Sequence, residues 1–349
     1  MVKEVLKAPF PWFGGKSVVA DIVWEAFGNV RNYVEPFFGS GACLLARPTP
    51  FEGTETVNDA DGMIANFWRA ISCDPDAVAK YADWPVSECD LHARHLWLVT
   101  HGRPAVERLK SDPDYYDPKI AGWWVWGICQ WIGSGWCENS LYKKRPDLGS
   151  GKGVHRPSQK LPHLGDAGRG VHRPSQQLPH LGDAGRGVHR PSQQLPHLGS
   201  AGMGVHDYFQ YLSARLRRVR VCCGDWSRIC GPTPTVKQGV TGMFLDPPYL
   251  QTERTGNLYA VETNVSGDVR KWCLEHGNDN RLRIALCGYL GEGHEELENH
   301  GWRTVAWKAR GGYGSQGDKD GRDNAARERI WFSPHCLGQK DLFDFCDQI

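Results

Sequence analysis

Leu245-Asp246-Pro247-Pro248-Tyr249 follows a short apolar run, Val240 to Leu245. That run reads as a buried strand, so the motif sits where the strand ends. In open α/β sheets the carboxyl edge of the strands is where ligands bind. A carboxylate, two stiff prolines and an aromatic ring at such an edge suit gripping a flat base while acceptors hold its exocyclic amine. The remaining sequence decides whether a site of that kind is complete.

Working outward, the pattern on both sides is strand, loop and helix. Residues 9–17, PFPWFGGKS, form a Gly/Pro-rich loop. Val18 to Phe27 then reads as a helix with Val19, Ile22, Val23 and Ala26 on one face and Ser17 as its N-cap. Val30 to Val34 reads as a strand that runs into Glu35-Pro36-Phe37-Phe38-Gly39-Ser40-Gly41-Ala42, and a helix starts at Cys43 to Ala46. Thr54 to Val57 is a further strand ending at Asn58-Asp59-Ala60-Asp61, and Met63 to Ile71 is helical by period. This order opens a doubly wound nucleotide-binding sheet. After about Pro75 the chain becomes helical and aromatic, with Trp123, Trp124, Trp126, Trp131 and Trp136 crowded together. Such a cluster is expected to be core before it is a base-stacking platform. Sheet pattern resumes at Arg218 to Cys222, at Val240 to Leu245 and at Arg281 to Cys287, the last followed by Gly288-Tyr289. Trp302 to Trp307 and Arg329 to Phe332 read as a late hairpin joined by the Gly-rich, charged stretch Ala309 to Asn324.

Between these parts lies a repeat of period 17. The unit GVHRPSQKLPHLGDAGR begins at Gly153 and recurs from Gly170 and Gly187, with a degenerate start at Gly204. Two prolines and several glycines per unit suit neither a long helix nor a long strand. Little apolar surface is available within one unit, so an extended arm or stacked turns is expected. Asp207 to Arg217 then reads as an amphipathic basic helix.

Composition bounds the rest. The chain has 349 residues, 40% hydrophobic, with 15 Trp; that is ample for a core and for one large domain or two. Net charge is +1, but seven Lys/Arg against two Asp/Glu between Lys152 and Gly204 make that stretch +5 and leave the remainder at −4. Twelve Cys occur without a CxxC pair, which points to buried free thiols in a reducing cytoplasm. Met1 to Pro9 lacks a signal-peptide apolar region. The apolar patch Trp123 to Ile132 is too short to span a bilayer, so no membrane association is expected.

Individually the loops are modest signals. Gly39-Ser40-Gly41 lets backbone approach a ligand, but position 44 is Leu where a dinucleotide fingerprint needs Gly. Gly14-Gly15-Lys16-Ser17 lacks the earlier glycine of a Walker loop, since position 10 is Phe. Seven histidines from His155 to His206 recur at eight- and nine-residue spacing, set by the repeat and unlike a ligand set; no metal is expected. Arg156, Arg173 and Arg190 recur once per unit and could meet DNA phosphates, although a solvated, neutral insertion explains them too.

Taken together, PWFGGK (11–16), EPFFGSGA (35–42), VNDAD (57–61), CGDW (223–226) and LDPPY (245–249) resemble the Dam-like class of DNA adenine-N6 methyltransferases. The resemblance covers about 1–70 and 218–335, and not the repeat. It implies an α/β, Rossmann-like doubly wound sheet in a catalytic domain of 1–72 and 218–349. A largely helical target-recognition insertion, 73–217, would carry the repeat at 153–204. It further implies S-adenosyl-L-methionine as cofactor. Trp12 and Lys16 would contact this donor from the N-terminal loop, Gly39 and Gly41 would let the backbone pass its methionine part, Asp59 would bind its ribose, and Phe38 and Asp246 would belong to the same donor-binding set. Asp225 and Trp226 would flank its adenine ring, and Asp246, Pro247, Pro248 and Tyr249 would form the catalytic loop. Where relatives often carry Ser-Asn after the later strand, this chain has Gly288-Tyr289. The implied partner is double-stranded DNA, in the cytoplasm of a bacterium or a phage-infected host. A restriction partner is left open, as is the choice between monomer and homodimer.

The chemistry supports the resemblance independently. An adenine exocyclic amine is a poor nucleophile because its lone pair is delocalised into the ring. Asp246 and the Pro247 carbonyl accepting its two N–H bonds would expose that lone pair, by position and electrostatics and without a covalent intermediate. The prolines restrict the carbonyl's direction, and Tyr249 can stack on a base flipped out of the duplex. C5-cytosine chemistry normally uses a Pro-Cys nucleophile, and that dipeptide is absent. Asp at the first motif position leans to adenine over the N4 of cytosine. Two alternatives remain: a cytosine-N4 enzyme, or a non-catalytic nucleic-acid-binding protein on a methyltransferase fold.

Overall fold

The computed structural model describes residues 6–12, 16–131, 136–137, 204–248, 265–307 and 327–338. Tyr249, the repeat from 153 to 203 with Arg156, Arg173 and Arg190, and the 309–324 connection lie outside the described residues. In chain order the described helices are α1 (Ala20–Phe27), α2 (Ala42–Leu45), α3 (Gly62–Cys73), α4 (Pro75–Ala82), α5 (Glu88–Trp97), α6 (Arg103–Val106), α7 (Pro118–Gln130), α8 (Val205–Leu216) and α9 (Val265–His276). The described strands are β1 (Asn32–Glu35), β2 (Thr54–Asp59), β3 (Val219–Cys223), β4 (Thr241–Leu245), β5 (Leu282–Tyr289), β6 (Arg303–Ala306) and β7 (Glu328–Phe332). The chain forms two units, Met1–Phe13 with Asp59–Gly224 and Gly14–Asn58 with Asp225–Ile349.

Within the second unit the strands of a mixed sheet lie in the order β2-β1-β4-β5-β7-β6, part of a seven-stranded whole. β1 is parallel to β2 and β4, and β4 is parallel to β5. β7 runs antiparallel to both β5 and β6, which confirms the expected late hairpin. β1 and β4 are buried along their whole length. That is why Val34 and Met243 stand in apolar runs and not in an alternating pattern: both faces of a central parallel strand are covered. On one side Trp24 and Phe27 of α1 pack on Tyr33, with ring centroids 4.8 Å apart for Trp24 and Tyr33. A buried ion pair stiffens the sheet margin. Arg47 donates to Glu55 at 2.9 Å and to the Val30 carbonyl at 2.7 Å, while its guanidinium lies 4.0 Å from the Phe51 ring centre.

The first unit is largely helical, and its helix starts are written in side chains. Asp61, Asp74, Ser87 and Asp117 each cap a helix by accepting a backbone N–H, and Pro75 and Pro118 occupy first-turn positions. α4 and α7 pack on each other, and α3 and α8 complete the group. Phe10 is wholly buried among Phe67, Trp68 and Trp124, edge-on to Trp124 at 4.9 Å. Trp124, Trp126, Trp131 and Trp136 are buried, so the tryptophan cluster is mostly core. Gly127 is demanded by that packing, because a Cβ there would lie 1.9 Å from the Trp136 ring.

Three local expectations are corrected. Ser17 does not cap the first helix: Lys16–Val18 forms a 3-10 turn and α1 starts at Ala20 with no side-chain cap. The burial of Lys16 draws that turn inward and shifts the helix start. Gly288-Tyr289 does not follow a strand but ends β5, because pairing with β7 extends the ladder to Tyr289 opposite Glu328. The cysteines are not uniformly buried: Cys43, Cys137, Cys230, Cys273 and Cys287 are, whereas Cys73 and Cys89 are exposed. Among the described residues no helix is long and apolar enough to cross a membrane.

Candidate active site

In the second unit, β1 and β4 are hydrogen-bonded neighbours although the chain visits β2 and the first unit's helices between them. This is the point where the strand order reverses, and a crevice opens outside the carboxyl ends of such strands. Both sequence motifs end there. β1 delivers Glu35 and the loop from Pro36 to Gly41, and β4 delivers Asp246, Pro247 and Pro248.

Gly39 and Gly41 have φ of 47° and 68°. Both therefore occupy the left-handed region that side-chain-bearing residues disfavour. Gly41 precedes α2, and its N–H closes the turn onto the Phe38 carbonyl at 2.8 Å. The loop is tied to the neighbouring strand by Phe38 N–H donating to the Asn58 carbonyl at 3.0 Å. Phe38 itself is buried. The ring that meets Trp226 is that of Phe37, stacked with centroids 6.0 Å apart. Trp226 is half-buried and Asp225, just before it, is exposed. Asp225 caps the short turn Trp226–Ile229 by accepting the Ser227 N–H at 2.9 Å.

Asp246 is met by Lys16, with Nζ 3.1 Å from Oδ1 and side-chain exposures of 7% and 17%. Burial alone would favour the neutral amine of Lys16. Asp246, with Cys287 and Glu328 nearby, outweighs it and raises the lysine's pKa, so the ammonium persists. The same ammonium lies 5.3 Å from the centre of the Trp307 ring. Glu35 is buried on the opposite motif strand and accepts the Tyr33 hydroxyl at 2.9 Å. Its burial pushes its carboxyl well up; the Tyr33 bond opposes this and the charge of Asp246 adds to it.

In the first unit, Asp59 ends β2. It accepts the Asp61 N–H at 2.9 Å, and its carbonyl takes the Gly224 N–H at 3.1 Å. Asp61 is clasped by both terminal nitrogens of Arg103 at 3.0 Å. Trp12 is half-buried, edge-on to Phe10. Among the described residues, no group of three His, Cys, Asp or Glu is gathered as a metal site would need.

Two pairings were invisible to local sequence reading. Lys16 was read toward the donor and not toward Asp246, and the stacking of Phe37 on Trp226 was not anticipated. Only the repeated Phe-Phe before the glycines could have signalled the second.

Residues 12–88 match the family model described as D12 class N6 adenine-specific DNA methyltransferase. That segment contains Trp12, Lys16, the Gly39–Gly41 loop and Asp59, the same residues that the motif order singles out. Over those residues the chain is similar to that class. No curated protein matches the sequence. The Asp-Pro-Pro segment at the end of β4 lies beyond the matched residues, in a separate part of the chain. A side-chain-free loop at Gly39 and Gly41 and a half-buried indole beside an exposed acid fit a donor that has both a zwitterionic and a flat aromatic end.

Proposed function

We propose that the chain transfers a methyl group from S-adenosyl-L-methionine to the N6 amine of an adenine flipped out of double-stranded DNA. The observation that carries this reading is the Lys16–Asp246 pair at the end of β4, placed beside the glycine loop at the end of β1. When bound, the donor supplies the electrophilic methyl. The chain's own residues do the rest. The Asp246 carboxylate and the Pro247 carbonyl accept the two N–H bonds of the amine and turn its lone pair outward. Lys16 holds a fixed positive charge against Asp246, which favours the ionised acceptor that this role needs. Pro247 and Pro248 limit the loop's directions. Tyr249 stacks on the extruded base.

In the same reading the donor is held by the Gly39–Gly41 backbone, by Trp226 with Phe37 and Asp225, and by Asp59 at its ribose, with Trp12, Lys16 and Phe38 supporting. Target choice belongs to residues 73–217, with Arg156, Arg173 and Arg190 on phosphates. The setting is a bacterial or phage-infected cytoplasm. The test is to incubate the full chain with the donor and a plasmid of known sequence, then map modified bases at single-nucleotide resolution. N6-methyladenine at recurrent sites is expected. N4-methylcytosine, or no modification, would overturn the proposal.

A further inference from the structure

β5 outruns its parallel neighbour. The last β4–β5 pair is Leu245 with Leu286, yet β5 continues through Cys287, Gly288 and Tyr289, paired there with β7 on its other side. Side chains alternate along a strand. Cys287 and Tyr289 therefore share one face, and Gly288 takes the other. The groups acting on each confirm the sides. Cys287 feels Asp246 and Lys16; Tyr289 feels Glu328, its partner across the β7 ladder, together with Lys16 and Asp246. Tyr289 thus stands one strand repeat, about 7 Å, farther out along the edge than Cys287, on the Asp246 side of the sheet.

The opposite face holds Tyr289 in place. Its N–H donates to Glu292 Oε2 at 2.9 Å. That carboxylate lies 3.6 Å from His294 Nε2, which is 3.1 Å from the Ser266 hydroxyl on α9. Arg270, also on α9, donates to the Glu292 carbonyl at 2.9 Å. His294 is wholly buried, and a Cβ on residue 288 would meet its ring at 2.6 Å. Gly288 is therefore the residue that lets the histidine reach in under the strand end. On the Tyr289 ring, the Arg327 guanidinium sits 5.6 Å from the centroid, and is itself fixed by two bonds to the Leu290 carbonyl.

Resting on the proposed adenine methylation, we infer that Tyr289 is a specificity-determining wall of the acceptor pocket, donating its hydroxyl to N1 or N7 of the extruded purine. Glu292 acts as the positioning residue behind it. Burial first, then Glu328, pushes the hydroxyl up to about 12, so it remains a donor at neutral pH.

The test uses the full chain with duplexes in which the target adenine is normal, 1-deaza or 7-deaza, reading kcat and KM separately alongside donor binding. Tyr289→Phe is expected to lower kcat/KM on adenine about 10-fold, the size of one hydrogen bond, with donor binding unchanged. On the analogue lacking the accepting nitrogen, the variant and the parent should perform alike. Glu292→Ala should show a partial version of the same defect. Glu292→Gln should restore activity, because its amide oxygen takes the same N–H. Equal loss on all three bases, or a Tyr289→Phe variant within twofold of the parent on adenine, overturns the inference. A parent that methylates no adenine overturns instead the function on which the inference rests.

Discussion

Replacing Lys16 by Met probes the active-site electrostatics with little change in volume. At 3.1 Å and an effective dielectric of about 20, the two charges attract by about 5 kcal/mol. Desolvating the ammonium takes back several kcal/mol, and the 17% exposure of Asp246 screens a little more. The net support lost by the carboxylate is therefore about 2–3 kcal/mol. If that support is needed when the amine is gripped, methyl incorporation into DNA should fall roughly 100-fold at neutral pH. The acid limb of the rate profile should move to higher pH, because without the cation Asp246 is more easily protonated. The assay is steady-state methyl incorporation from pH 5.5 to 9, with donor affinity measured in parallel. A Lys16→Met enzyme within threefold of the parent across that range would refute the electrostatic role.

Other outcomes follow from buried features. Arg47→Met takes the guanidinium away from the buried Glu55 carboxylate and should cost about 3–5 kcal/mol in urea unfolding; an unchanged midpoint would count against the buried pair. Glu35 should make stability fall with pH. Its folded-state pKa is raised by burial above the ordinary 4.5, so the folded chain keeps a proton that the unfolded chain releases. Stability is then lost as pH rises above about 4.5, by up to about 1.4 kcal/mol per pH unit. Glu35→Gln should remove that slope, gaining at pH 8 relative to pH 5; an unaltered slope in the variant would contradict this. Gly127→Ala should cost about 1–3 kcal/mol by thermal unfolding, because its methyl has no room beside Trp136; no loss would mean the ring moves easily.

Much of this architecture could be read from local pattern. Val34 and Met243 announced buried strands because neither side of a central parallel strand is wet, and the Pro-rich and Gly-rich segments marked where those strands stop. What escaped was long-range. Nothing near Lys16 indicates that Asp246 is its partner, and nothing in Phe37-Phe38 tells which ring turns to Trp226, because the partners come from distant parts of the chain. Ser17 was a plausible cap by composition, and the burial of the residue before it overrode that preference. Gly288-Tyr289 read as a strand's aftermath because β5 alone ends at Cys287 in apolar pattern; only pairing with β7 carries it on.

The central claim is that Asp246 grips the amine of a target adenine without being needed to hold the donor. The direct measurement compares the parent and Asp246→Ala for two quantities, donor affinity by calorimetry and N6-methyladenine formed in plasmid DNA. The account predicts that the variant forms no detectable N6-methyladenine while its donor affinity stays within a few-fold of the parent. A variant that keeps most of its methylation would contradict it.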